Sequence, residues 1–208
     1  MHQSIRCNKI RKELQTRKYQ KWCALPHKRK GVALFEEYKS ANKWIRNHAG
    51  LSVNQWHEGI KMIANVCSVQ SISGRSLNGN LCRQCRRETE TLAHVLGSCP
   101  HGELLRNTRH HKIRSLIANQ FKKRDYHVVE EVIGIATNGS IRRIDILAYR
   151  DPRDIGYIID PTVRFENSSG QPDEVDKEKK LIYEPTIPYY LEKYKLKAIQ
   201  VMGLMIGA

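Results

Sequence analysis

Cys82 and Cys85 stand two residues apart, His94 follows after eight more residues, and Cys99 after a further four. Three thiolates and one imidazole are the ligand set of a closed tetrahedral zinc site, with no position left for substrate. Such a site folds its surroundings rather than doing chemistry. Cys82 and Cys85 alone would read equally as a redox pair or as reduced core cysteines. His94 and Cys99 at this spacing favour metal. The intervening segment predicts a short helix presenting His94 and Cys99 on one side, with Leu92, Val95 and Leu96 packing the other. His101, just beyond, is a competing ligand.

A second constellation is acidic. Asp145 and Asp160 are separated by fourteen residues, and each adjoins an apolar run, ILAY after Asp145 and YII before Asp160. Carboxylates within buried strands are costly unless paired or metal-bound. On adjacent strands the two would converge on one divalent cation, and a carboxylate, water and phosphate oxygen set suits Mg2+ or Mn2+. Such an ion polarises a phosphodiester and acidifies an attacking water. The alternative pairs Asp145 with Arg142 or Arg143 and makes Asp160 the end of a strand before Pro161. These residues by themselves leave both readings open.

The elements that must position these groups follow from periodicity. Residues 3–21 predict a basic helix, 31–48 a second after the break at Pro26, and 54–69 a third with Trp56, Ile60, Ile63 and Cys67 on one face. A loop with Gly74, Asn78, Gly79 and Asn80 leads to the cysteines. Residues 103–124 predict a long helix with Leu105, Ile113, Leu116, Ile117 and Phe121 apolar. Three β-rich runs follow, at 127–135, 140–150 and 154–165, separated by Asn138-Gly139 and Asp151-Pro152. A helix over 173–184, interrupted by Pro185 and Pro188, a short helix over 189–195 and a final strand over 196–204 complete the chain. Strands this close should be antiparallel neighbours, and the helical crossover returns the fourth to the same sheet. The fold class expected is α/β, a sheet with helices on its faces.

The net charge is +15 over 208 residues, and residues 1–50 carry thirteen Lys and Arg against three Glu. With Tyr19, Trp22, Tyr38 and Trp44 interleaved, this segment suits phosphate neutralisation with occasional base stacking, or else a solvated basic arm. Lys28, Arg29 and Lys30 are candidate nucleic-acid contacts. Six cysteines without a disulfide-like framework point to an intracellular compartment, and the basic segment to the nucleus. The sequence shows no membrane span or signal peptide, so a soluble protein is expected.

The cysteine-histidine cluster, the Arg109-His110-His111 triplet ten residues past Cys99, and Arg143-Ile144-Asp145 with Asp160 resemble the C-terminal region of site-specific non-LTR retrotransposon polyproteins carrying a restriction-like endonuclease. The resemblance covers residues 50–205 and includes Trp56, Ile60 and Lys61, and more loosely Ser73, Gly74 and Arg75. It implies a PD-(D/E)xK endonuclease: a core of helix, three strands, helix and strand, with Asp145 and Asp160 as the catalytic acids. The family's Lys-x3-Tyr pattern falls on Lys179 and Tyr183, making Lys179 the catalytic lysine, with Lys177 or Lys180 as substitutes. Arg109 and His110 would contact nucleic acid; Arg143 and Glu131 are further candidates, Glu131 as an indirect metal ligand or an exposed strand residue. The departures are His111 for asparagine, Ile144 for proline, and Thr162 where many such enzymes carry lysine.

The organisation expected is a basic helical segment (1–50), a helical linker (51–81), a CCHC zinc knuckle (82–102) and a restriction-like endonuclease (103–208). The function expected is a metal-dependent endonuclease with structural Zn2+ and catalytic Mg2+ or Mn2+, nicking DNA to prime reverse transcription. No Tyr-x-Asp-Asp polymerase motif occurs, so a reverse transcriptase would be a separate partner, beside target DNA and element RNA. A last strand close to the final residue suits a truncated copy, a fragment or a host-captured gene. Two other classes stand beside the enzyme: a nucleic-acid-binding module with a decayed site, and an unstable relic with exposed strand edges.

Overall fold

The computed structural model describes residues 2–25, 42–47, 50–72 and 79–207. Lys28, Arg29, Lys30 and most of the helix expected over 31–48 lie outside the described residues. Two compact units are distinguished, Met1–Val95 with Glu166–Ser169, and Leu96–Phe165 with Gly170–Ala208.

In the first unit, helix α1 runs His2–Cys23. Its side chains from Asn8 to Gln15 are all exposed, including Ile10 and Leu14. A stretch of helix that exposes even its apolar side chains does not owe its place to a core. A short α2, Lys43–Arg46, precedes α3, Val53–Ile63, which starts on a capping box between Ser52 and Gln55. The Trp56 indole donates to the Ile45 carbonyl at 3.3 Å. α3 ends earlier than its apolar spacing predicts because Asn65 takes φ +49°, a left-handed residue that stops a helix. Cys67 therefore lies past the helix, half-buried.

The second unit is built on a four-stranded sheet in the order β1-β2-β3-β4: β1 His127–Ile135, β2 Ile141–Tyr149, β3 Ile155–Arg164 and β4 Ala198–Gly207. The first three are antiparallel and β4 joins β3 in parallel, as sequence order predicts. β4 runs beyond the expected end because Met205 and Ile206 extend its apolar run opposite Thr162 and Val163.

Helix α4, Glu103–Lys122, covers one face: Ala118, Ile146, Ala148 and Ile159 form a core, with Ile117, Phe121, Tyr126 and Leu204 around it. Helices α5, Gln171–Tyr183, and α6, Ile187–Tyr194, cover the other, where Val132, Ile144, Leu147, Ile158, Tyr183, Tyr190 and Val201 are buried together. The expected α/β sandwich is present. Leu105 and Leu116, expected on the apolar face of α4, are exposed; the residues of α4 that pack on the sheet are Ile117, Ala118 and Phe121. Pro185 and Pro188 do not break a helix internally. Each sits at the start of one, in the 3-10 turn Glu184–Thr186 and in α6, where a missing N–H costs nothing.

Two local irregularities position the site. The β2–β3 ladder ends at Ile146↔Ile159, so the next two residues, Asp145 and Asp160, stand where the strands part. β3 continues beside β4 alone through Pro161 to Arg164, a stretch in which a residue without N–H is tolerated. Asp160 therefore does not end its strand, contrary to one of the two sequence readings. The second irregularity is at Glu131, φ +55°, which lies opposite Asp145 between the pairs Glu130↔Ile146 and Val132↔Ile144. Ile144 and Leu147 share one core while Ile146 and Ala148 share the other. Strict alternation is broken at Asp145, and matched at Glu131, so register survives while both side chains are re-aimed.

Candidate functional site

Cys82, Cys85, His94 and Cys99 converge: their ligand atoms all lie within 4.8 Å of one another. His101 is exposed and outside the cluster. The segment from His94 to Ser98 is a π turn rather than the α-helix expected. The reason is geometric: five residues along an α-helix is a rotation of about 500°, which leaves the ends about 140° apart, whereas an i→i+5 turn returns Cys99 to the side of His94. Leu92 is buried as expected, but Val95 is exposed.

The cluster is pre-formed for a cation. Backbone N–H groups of Cys85 and Gln84 bring the Cys82 thiol below its ordinary range against burial. The Arg87 N–H leads in pulling Cys85 down to about 6, again against burial. Thiolates are the ligand form. His94 Nε2 lies 3.3 Å from the Cys85 sulfur and Nδ1 lies 2.9 Å from Glu88 Oε2, a carboxylate that fixes the ring as in many histidine–zinc sites. Glu90, 2% exposed, accepts from the Arg83 N–H at 2.7 Å and the Gln70 N–H at 3.2 Å, and pairs with the Arg83 guanidinium at 2.6 Å. Burial alone would raise its carboxyl; these donors more than offset that and hold it low. Neither Glu88 nor Glu90 was singled out by sequence reasoning, although both fall between the second and third ligands.

The acidic site lies wholly within the second unit. Asp145, Asp160, Thr162 and Lys179 line a cleft of 290 Å³ with Arg106, Asn107, Arg109 and His110. Asp160, 4% exposed, is held by three donors: Thr162 Oγ1 and Lys179 Nζ on Oδ1, both at 3.1 Å, and Tyr183 Oη on Oδ2 at 2.7 Å. Thr162 thus bonds the acid itself, and Lys179 of α5 sets its ammonium on the same carboxylate oxygen.

Asp145 is less well satisfied. His110 Nε2 lies 3.3 Å from its Oδ1. Burial first and the Asp160 charge second push its carboxyl up, with His110 pulling the other way.

Among the other expected residues, Lys180 pairs with Asp176 at 2.6 Å and is outside the cleft lining. Lys177 and His111 are exposed. Arg143 presents its side chain to solvent and its carbonyl 3.5 Å from the Tyr183 hydroxyl; no ion pair joins Arg142 or Arg143 to Asp145 among the described residues, against the alternative sequence reading. Glu131 is ion-paired to Arg114, which holds its carboxyl low. His110 was expected as a nucleic-acid contact; the structure sets it on Asp145. That pairing was not legible in sequence, because thirty-five positions separate the two.

Gly203 sets the distance between α5 and β4. A Cβ there would come within 2.8 Å of the Val175 carbonyl and 2.9 Å of Lys179 Cγ, and the Gly203 N–H bonds Asp176 Oδ1 at 2.9 Å.

The chain is similar to the "Retrovirus-related Pol polyprotein from type-1 retrotransposable element R2" of Popillia japonica, 23% identical over 171 residues, which are 79% of this chain and 34% of that protein. It is also similar to the protein of the same description from Nasonia vitripennis, 31% identical over 116 residues, 53% of this chain and 11% of that protein. The chain thus spans a minor part of the length of both relatives. No family model matches it. It is a retrotransposon-Pol-related protein of mixed α/β fold bearing a Cys3His cluster of the zinc-binding type.

Proposed function

We propose that this Pol-related chain is a nucleic-acid-binding, divalent-metal-dependent endonuclease region of the PD-(D/E)xK type, nicking DNA so that a reverse transcriptase supplied separately can extend the new end. The observation that carries the reading is the opening of the β2–β3 ladder at Asp145 and Asp160, which gives a half-buried and a buried acid a common cleft. Hard carboxylate oxygens and a carboxyl pushed up by burial and then by its like-charged neighbour fit a hard cation, so Asp145 and Asp160 would hold Mg2+ or Mn2+. When bound, that ion supplies Lewis-acid polarisation of the phosphodiester and an acidified water.

The chain's own groups divide the remaining work. Thr162 and Tyr183 fix the Asp160 rotamer, and His110 fixes Asp145. Lys179, with 16% of its side chain exposed, presents an ammonium to the cleft, suited to stabilising charge that develops on the phosphoryl oxygens. The knuckle, with Cys82, Cys85, His94 and Cys99 able to hold Zn2+, is a structural and binding element. Lys179→Ala tests this division: Mn2+ binding by titration calorimetry should persist while cleavage of a labelled duplex falls by about a hundredfold or more. Cleavage at the wild-type rate would remove Lys179 from the mechanism.

A second reading, a binding platform without catalysis, is favoured by one observation. Asp160 already has three protein donors, so its burial is satisfied without a metal.

A further inference from the structure

Arg106 and Arg109 stand one turn apart on α4 and line the cleft that holds Asp145 and Asp160. Arg106 Nη1 donates to the Cys99 carbonyl at 2.6 Å, and Arg109 Nη2 donates to the Leu96 carbonyl at 3.2 Å. Among the described residues neither guanidinium is ion-paired with a carboxylate. The Nε of Arg109 is shut off from solvent and has no hydrogen-bond partner. Burial first, then the neighbouring Arg106 charge, depress the Arg109 guanidinium below its ordinary range.

Tethering a helix to two carbonyls needs one donor from each side chain, and an arginine offers five N–H groups. It leaves the remaining donors of each side chain without a role, and with them two adjacent cations, neither paired with a carboxylate among the described residues, in the lining of one cleft. Two like charges side by side repel, and an anion held between them relieves that repulsion. The missing partner is an anion with several acceptor oxygens, and the planar fork of arginine matches phosphate better than any other common anion on a nucleic-acid-binding surface.

We propose that Arg106 and Arg109 form a seat for a backbone phosphate of the nucleic acid, preset by the Leu96 and Cys99 carbonyls. The proposal rests on the nucleic-acid reading above and adds a contact that needs no divalent metal. Cys99 then has two tasks, its thiolate toward the zinc-type cluster and its carbonyl toward Arg106. The seat orders a strand in the cleft independently of hydrolysis.

The test is binding of the full chain to a short labelled DNA duplex, by fluorescence anisotropy over a range of salt without Mg2+ or Mn2+, with zinc per chain measured on each sample. Arg106→Ala and Arg109→Ala should each lower the slope of log affinity against log salt by about one, the signature of one lost phosphate contact. An unchanged slope in both variants, with zinc retained, overturns the seat. If either variant loses zinc, Arg106→Lys and Arg109→Lys keep the charge but lose the planar fork. The seat then predicts about tenfold weaker binding at constant slope, the loss of one charge-assisted hydrogen bond, and wild-type affinity overturns it. Wild-type failure to nick in a separate Mg2+ assay bears on the nuclease reading alone, because the seat is scored without metal.

Discussion

At the scale of single residues, the acidic pair is asymmetric, and the asymmetry makes predictions. The Asp145 carboxyl is raised by burial and by Asp160, so its folded value stands above its unfolded one and folding takes up a proton. The metal-free chain should lose stability as pH rises from the ordinary aspartate range through that raised value. Asp145→Asn should therefore melt at a higher temperature than wild type at pH 7 without metal, and added Mg2+ should raise the wild type toward it; a variant that melts lower would place a net favourable interaction at Asp145. Tyr183→Phe removes one of three donors on Asp160 and should cost about 1–3 kcal/mol of stability, read by urea unfolding. Both acids were legible in the sequence because a charge inside an apolar β run is conspicuous. Their partners His110, Thr162 and Tyr183 were legible only as types or through the family resemblance, since contact across elements leaves no mark in spacing.

Element boundaries in the second unit followed the sequence closely because the apolar runs of β1, β2 and β3 are separated by turn formers, and α4 carries a regular stripe. What the pattern could not show is the paired irregularity at Glu131 and Asp145. It keeps register while exchanging faces, and a period-two reading averages over it. The π turn was hidden for a similar reason, as a step of five positions from His94 to Cys99 looks helical until the rotation is counted. Helix α5 carries Lys179 and Tyr183 and lies on β4 at a distance that Gly203 permits. Gly203→Ala should thus act at long range, shifting α5 away from β4, costing about 1–3 kcal/mol of stability and weakening cleavage more than DNA binding. Thermal unfolding and a binding isotherm on the same variant check both halves. An alanine variant with unchanged stability and cleavage would show that α5 is not held by that contact.

For the whole molecule, charge sets the expectation. Two thirds of the +15 excess falls in residues 1–50, and the exposed length of α1 displays Lys9, Arg11, Lys12, Arg17, Lys18 and Lys21 without a core to serve. Deleting residues 2–23 should weaken DNA binding and flatten its salt dependence by several units of slope; an equally strong, equally salt-sensitive deletion would assign binding elsewhere. No helix among the described residues is long and apolar enough to cross a membrane. Whether the parted strands make a working metal site separates a nuclease from a binding platform, and divalent-metal-dependent nicking of supercoiled plasmid by the full chain addresses that directly. The prediction is open circles with Mg2+ or Mn2+, lost in both Asp145→Ala and Asp160→Ala, while zinc stays near one per chain in all three proteins. Folded, zinc-loaded protein that binds the plasmid and leaves it supercoiled under every metal condition would contradict the nuclease and leave a binding platform.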